Sequence, residues 1–337
     1  MAKRLIIIFI LFLACAAIVT ASYRSSTAKP PSSESKSPPV KPPVAIAALN
    51  PLQIEAMRQR AYPGGALSIS GNTLAFTADG LQEFGLISVP AGAQPVGGWP
   101  VIILCHGYID PAQYALSANW YSAITAALTQ SGYVVIKPDY RGYGQSQGQP
   151  EGGHFSPVYS YDVLNLIASL KRDNRFNAGR IGLLGHSLGG DVALHVAVIS
   201  RDIKATAVMN GVVGSFYDMF YNWPGDQDLS DRPLALVQGT RQHLIDQYGT
   251  PKTNPAFWDS ASAINFVSAV TGPVQINQDS GDTAVPVLFS DHLVAALQSA
   301  HKAVQYYAYP GNDHLFSQPA NRALLIQRLT DFYRANL

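Results

Sequence analysis

Between Val101 and Ala335 the chain alternates short apolar runs with amphipathic helical stretches, and few architectures accommodate that succession. Val101-Ile102-Ile103-Leu104-Cys105 is apolar at every position, as expected of an interior parallel strand covered on both faces. Tyr133 to Lys137, Arg180 to Leu184, Ala205 to Met209, Val274 to Asn277 and Val304 to Tyr309 read as further strands. Ser117 to Gln130, Ser160 to Lys171, Leu188 to Ser200, Val287 to Ala300 and Ala320 to Ala335 read as the helices that link and close them. This order implies right-handed crossovers and a mostly parallel central sheet flanked by helices, an α/β fold. Any ligand site then belongs at the carboxyl ends of the strands. Ahead of these, Leu67 to Ile69, Leu74 to Thr77 and Phe84 to Val89 are broken by Gly71-Asn72 and Asp79-Gly80, the pattern of antiparallel strands at one sheet edge.

Three regions are expected. Residues 1–21 pair Lys3 and Arg4 with an apolar run from Leu5 to Val19, the layout of an export leader. Val19-Thr20-Ala21 offers a cleavage site. Retention as an anchor and lipidation at Cys15 are the alternatives, although the run is shorter than the roughly 20 residues that cross a bilayer. Residues 22–49 are rich in Ser, Pro and Lys, a semi-rigid spacer suited to holding a catalytic unit off a membrane or cell wall. A secreted or cell-envelope location, with or without a membrane anchor, is therefore expected. Residues 50–337 form the globular domain, in which 211–271 is a long irregular insertion. With 47% hydrophobic residues in a chain of 337, that domain can bury a core without disulfides, and only Cys15 and Cys105 exist. A net charge of +1 with no basic cluster excludes a nucleic-acid partner.

The chemistry gathers around Gly185-His186-Ser187-Leu188-Gly189-Gly190, which follows one strand and opens a helix. That context holds Ser187 at a strained corner as a nucleophile, with small residues required at 185 and 189. A serine hydroxyl needs a base, and the base needs an orienting group. His314, in the loop after the last strand, fits the base better than His186, His195, His243, His292 or His301. Asp282 and Asp279 both lie in the loop after the penultimate strand, and Asp282 is the better placed to turn back to His314. The N–H of Leu188 supplies one oxyanion donor, and Tyr108, after Cys105-His106-Gly107, supplies a second through its N–H or its hydroxyl. The glycine-rich turn Asp139-Tyr140-Arg141-Gly142-Tyr143-Gly144 lacks a G-K-[ST] ending and reads as architecture braced by Asp139 and Arg141. Phe216, Tyr217, Phe220, Tyr221, Trp223, Phe257 and Trp258 make the insertion a cap whose inner side can line an apolar substrate pocket. No motif calls for a metal or cofactor.

These residues, with Phe257-Trp258-Asp259-Ser260, Gly281-Asp282-Thr283-Ala284-Val285-Pro286 and Tyr309-Pro310-Gly311-Asn312-Asp313-His314, make the chain resemble an α/β-hydrolase. Within that fold it is similar, from about Trp99 onward, to the catalytic domain of the prolyl oligopeptidase (S9) serine peptidases, acylaminoacyl-peptidase-like members included. The resemblance implies Ser187 as nucleophile, Asp282 as acid and His314 as base, with Tyr108 lining the oxyanion hole. It implies acyl-enzyme hydrolysis of an ester or a short peptide. Asn277-Gln278 stands where the family commonly has His-Gly. The roughly 50 residues between spacer and first interior strand cannot build the family's β-propeller, so a carboxylesterase acting on apolar or aromatic acyl esters stays beside the peptidase. A non-catalytic binding protein with the same fold is the remaining alternative.

Overall fold

A computed structural model describes residues 49–111, 113–114, 121–223 and 235–337. The elements are α1 (Ile54–Gln59), β1 (Ser68–Ser70), β2 (Thr73–Ala78), β3 (Leu81–Ser88), β4 (Trp99–Cys105), α2 (Ser122–Gln130), β5 (Val134–Asp139), α3 (Val158–Leu170), β6 (Phe176–His186), α4 (Leu188–Ile199), β7 (Ile203–Met209), α5 (Phe216–Tyr221), α6 (Ala235–Tyr248), α7 (Pro255–Ala261), β8 (Val274–Asp279), α8 (Val287–Ser299), β9 (Val304–Tyr309) and α9 (Pro319–Asn336). Among the described residues the strands form one sheet in the order β1-β2-β3-β5-β4-β6-β7-β8-β9. Pairing is antiparallel from β1 through β3 to β5, and parallel from β5 onward.

The expected architecture is therefore present, and β4 shows why its sequence lacks alternation. Val101, Ile103 and Cys105 face one core with α1, α3, α4 and α8, while Ile102 and Leu104 face a second core with α2 and α9. Both faces of the strand are dry, so both parities are apolar. β6 begins at Phe176, earlier than expected, because the half-exposed Asn177-Ala178-Gly179 has no hydrophobic signal of its own. Residues 117–120 of the expected helix lie outside the described residues, as do the proposed leader and nearly all of the spacer.

Two expectations outside the insertion are corrected. The anchored, envelope-directed location is not sustained: among the described residues no helix is long and apolar enough to cross a membrane. The other concerns the turn after β5. Arg141 does not meet Asp139; its Nε donates to Asp162 Oδ1 at 2.9 Å and its Nη2 to Asp79 Oδ2 at 3.0 Å. Asp139 instead accepts from the Tyr114 hydroxyl. A fork-shaped guanidinium gains more from two carboxylates on separate elements than from a neighbour two residues away.

Beside this ion pair Glu83 is fully buried. Burial, reinforced by the neighbouring Asp162, pushes its carboxyl from an ordinary 4.5 up to about 10; burial also raises Asp162, against the opposing pull of Arg141. The folded chain thus binds this proton more tightly than the unfolded chain does. The stability it contributes is complete below pH 4.5 and is lost as pH rises toward about 10. Glu83→Gln, neutral at every pH, is expected to flatten the pH dependence of stability across that window. The difference in slope approaches one proton, about 1.4 kcal/mol per pH unit. Urea titrations at several pH values measure it, and parallel slopes in the two proteins would refute it.

In its described residues the insertion carries helices α5, α6 and α7, where the sequence reads as irregular. Ser215 and Asp218 form a capping box at the start of α5, and Asn254 accepts from the Phe257 N–H with Pro255 as the first residue of α7. Both caps are readable as local sequence signatures. Phe216, Phe220 and Phe257 pack on Trp258, and all four are buried in the same core as Val101, Ile103 and Cys105.

Candidate active site

Ser187 stands between the last residue of β6 and the first of α4, with φ 54° and ψ −122°. A non-glycine residue there is strained, and surrounding contacts must hold it. Its N–H donates to the Met209 carbonyl at 3.1 Å, and its carbonyl accepts from Gly190 at 2.8 Å and Val212 at 2.9 Å. The corner is closed sterically as well. A Cβ on Gly189 would lie 1.9 Å from the Cys105 carbonyl oxygen, and one on Gly185 would lie 2.3 Å from that of Gly189. Helix α4 thus starts in near contact with the end of β4. Leu188 is its first residue, so the Leu188 N–H has no acceptor within the helix.

His314 lies between β9 and α9, its side chain 22% exposed. Its Nδ1 is 2.7 Å from Asp282 Oδ2. The other Asp282 oxygen accepts from the Ala284 and Val285 N–H groups at 2.8 and 3.1 Å. Asp282 is an acceptor on all sides, so His314 donates through Nδ1 and keeps Nε2 as its acceptor. Asp279 is the other acid weighed above. It is fully buried, with Oδ1 taken by the Gly281 N–H at 3.1 Å and its own N–H donated to Asn210 Oδ1 at 2.7 Å. It is Asp282 that meets His314.

The loop after β4 passes beside the serine. A Cβ on Gly107 would stand 3.0 Å from Ser187 Cβ. Tyr108 follows it, half-buried. Burial and the charge of Asp110 raise its phenol above the ordinary value, so the hydroxyl keeps its proton as a donor. His106 is fully buried, stacked on Tyr140 at 4.3 Å, and burial with nearby Lys137 lowers it to about 3. It is a neutral ring whose Nδ1–H reaches the Gly107 carbonyl at 2.7 Å.

The remaining histidines serve the frame. His195 bonds to Asp191 one turn back on α4, and His292 to Asp218 on α5. His243 and His301 sit on the surface. His186 is buried, and its ring centroid is 4.9 Å from that of His314. Nothing along the chain signals this contact of His186 with His314. Tyr121 and Asn210 were missed altogether. Asn210 is fully buried at φ 42°, and its Nδ2 donates to the His314 carbonyl at 3.0 Å. A polar residue ending an apolar strand just before a glycine was the only available signal.

Of the insertion's aromatics, Trp223 reaches the loop that carries Asp282. Its Nε1 donates to the Ala284 carbonyl at 2.8 Å, two residues from Asp282, and its ring packs on Phe289 and His154. Tyr217 and Tyr221 form an exposed pair with centroids 4.9 Å apart.

A family profile described as the alpha/beta hydrolase fold matches residues 100–235. The chain is 26% identical over 243 residues to "Dipeptidyl peptidase family member 6" of Caenorhabditis elegans, covering 68% of this chain but 30% of that protein. It is 24% identical over 281 residues to "Uncharacterized peptidase YtmA" of Bacillus subtilis, covering 82% of this chain and 98% of that one. Among solved structures, the Pyrococcus horikoshii acylaminoacyl peptidase superposes with a TM-score of 0.59 at 16% identity, over 81% of this chain and 42% of the other. An acetyl xylan esterase from Paenibacillus sp. R4 superposes with a TM-score of 0.57 at 16% identity, over 84% and 92%.

Proposed function

The protein has the α/β-hydrolase fold, with structural neighbours among S9-family peptidases and related esterases, and from that premise we propose that it is a serine hydrolase working through an acyl-enzyme. The reading is carried by the strained Ser187 corner together with a His314 ring that lies 4.9 Å from the ring of the preceding His186 and whose Nδ1 is committed to a sequestered Asp282. Nε2 of His314 takes the Ser187 proton as the oxygen attacks a carbonyl carbon. Asp282 holds the tautomer and stabilises the imidazolium without accepting the proton. The Leu188 N–H and the Tyr108 N–H or hydroxyl receive the oxyanion. As the intermediate collapses, the Nε2 proton passes to the leaving alkoxide or amine. Water then attacks the acyl-enzyme by the same route and releases the acid.

The substrate reading is an S9-type peptidase acting on a short peptide. A carboxylesterase acting on apolar acyl esters is the second reading, and Trp223 favours it, because the indole sets an apolar wall beside the acid loop. A fluorophosphonate probe is expected to label the protein and to fail on Ser187→Ala. Equal labelling of both would reject Ser187 as the nucleophile, and labelling of neither would leave a binding protein. Turnover of aminoacyl and prolyl anilides against acyl esters of increasing length then separates the two activities. Strong ester hydrolysis without anilide cleavage rejects the peptidase.

A further inference from the structure

One hydrogen-bonded path runs behind the serine, from the loop after β4 to the loop that carries His314. The Gly107 N–H donates to the Tyr121 hydroxyl oxygen at 3.0 Å. That hydroxyl is 2.8 Å from His186 Nδ1, and His186 Nε2 is 2.9 Å from the His314 carbonyl oxygen. A carbonyl can only accept, so Nε2 carries the hydrogen. Nδ1 of the neutral ring is then an acceptor and takes the Tyr121 proton. Every bond points the same way, and bonds so aligned polarise one another. Burial depresses His186 to about 3, so one tautomer persists across ordinary pH.

We propose that His186 is a positioning residue which, through Tyr121, couples the placement of the oxyanion loop to the placement of the base. The inference rests on the reading of Ser187, Asp282 and His314 given above. Tyr121 takes up the Gly107 N–H, while His106 takes up the Gly107 carbonyl. That carbonyl shares a rigid peptide plane with the Tyr108 N–H, which is therefore aimed before substrate arrives. At the other end the His314 carbonyl is held by His186 and, at 3.0 Å, by Asn210 Nδ2. Fixing the backbone of the base fixes the arc its ring can sweep, and Asp282 selects one point on that arc. A ring serving only to fill space would not need both nitrogens engaged by loops on opposite sides of its neighbour.

The test uses the full chain and a short p-nitrophenyl ester, which a peptidase or an esterase of this type hydrolyses. His186→Leu keeps the apolar bulk and removes both bonds. It is expected to lower kcat roughly 10- to 100-fold with KM within about twofold, the mark of a contact felt in the transition state. His186→Gln, whose amide offers a donor and an acceptor at similar reach, is expected to recover most of that loss. Tyr121→Phe is expected to lower kcat as well, and the double variant His186→Leu/Tyr121→Phe to be little worse than His186→Leu alone, because the two act as one unit. Equal losses in His186→Leu and His186→Gln, or fully multiplicative losses in the double variant, would overturn the proposal. Should His186→Leu fail to fold, Tyr121→Phe and His186→Gln carry the same comparison. Ser187→Ala run in parallel separates the two levels: an inactive Ser187→Ala beside a fully active His186→Leu rejects the relay alone, whereas an active Ser187→Ala rejects the nucleophile beneath it.

Discussion

With Ser187, Asp282 and His314 in the roles proposed, His314→Ala is expected to fold and to lose about 10⁶-fold in kcat, the size expected when a serine hydroxyl is left without its base. Among the described residues the ring hydrogen-bonds Asp282, and that carboxylate keeps two backbone donors when the ring is gone, so a small cost to stability is expected. Asp282→Asn costs about 10⁴-fold, because an amide in that place can present a donor to Nδ1 and favour the wrong tautomer. Combining His314→Ala with Ser187→Ala adds almost nothing, since the two residues act in one step. Single-turnover acylation by a chromogenic ester, with melting curves for each variant, measures all three. A folded His314→Ala retaining more than a hundredth of the parental rate would remove this histidine from the mechanism.

Gly189→Ala acts on the fold before it acts on chemistry. The added methyl carbon would stand 1.9 Å from the Cys105 carbonyl oxygen and 2.4 Å from its carbon, and both belong to the backbone of β4. No rotamer change relieves a clash between two main chains, so α4 must lift away from the sheet, opening the cores on which Val192 and Val196 pack. A loss above about 4 kcal/mol is expected, enough to leave little soluble protein. Gly239→Ala is the control: it lies within α6, where among the described residues an added Cβ would meet nothing inside 4 Å, and alanine there favours the helix by about 1 kcal/mol. Soluble yield and melting temperature read the pair, and a Gly189→Ala protein that melts with the parent would show that the corner has slack.

Much of this molecule is legible before any coordinates. Unbroken apolarity marks Val101 to Cys105 as an interior strand because both its faces are dry, and the glycines around Ser187 mark a corner because only hydrogen fits there. Asp282 and His314 could be paired in advance since each follows a strand of known order. What escaped is choice of partner over distance. Arg141 has a carboxylate two residues away, yet it meets Asp162 on α3 and Asp79 after β2, a preference set by how those elements pack. Tyr121 and Asn210 look ordinary along the chain because their partners lie on other loops. Helix α6 escaped because Val237-Gln238-Gly239-Thr240-Arg241-Gln242-His243 carries little apolar periodicity.

The order of the strands also sets an order in time. Ser187 closes β6, near the middle of the sheet, whereas Asp282 and His314 follow β8 and β9 at its far margin. During synthesis the serine leaves the ribosome first, and a nascent chain with β4 to β7 assembled holds its hydroxyl without either proposed partner. On the function proposed above, hydrolytic competence arrives only with the last pair of strands, and an incomplete chain stays inert toward its surroundings.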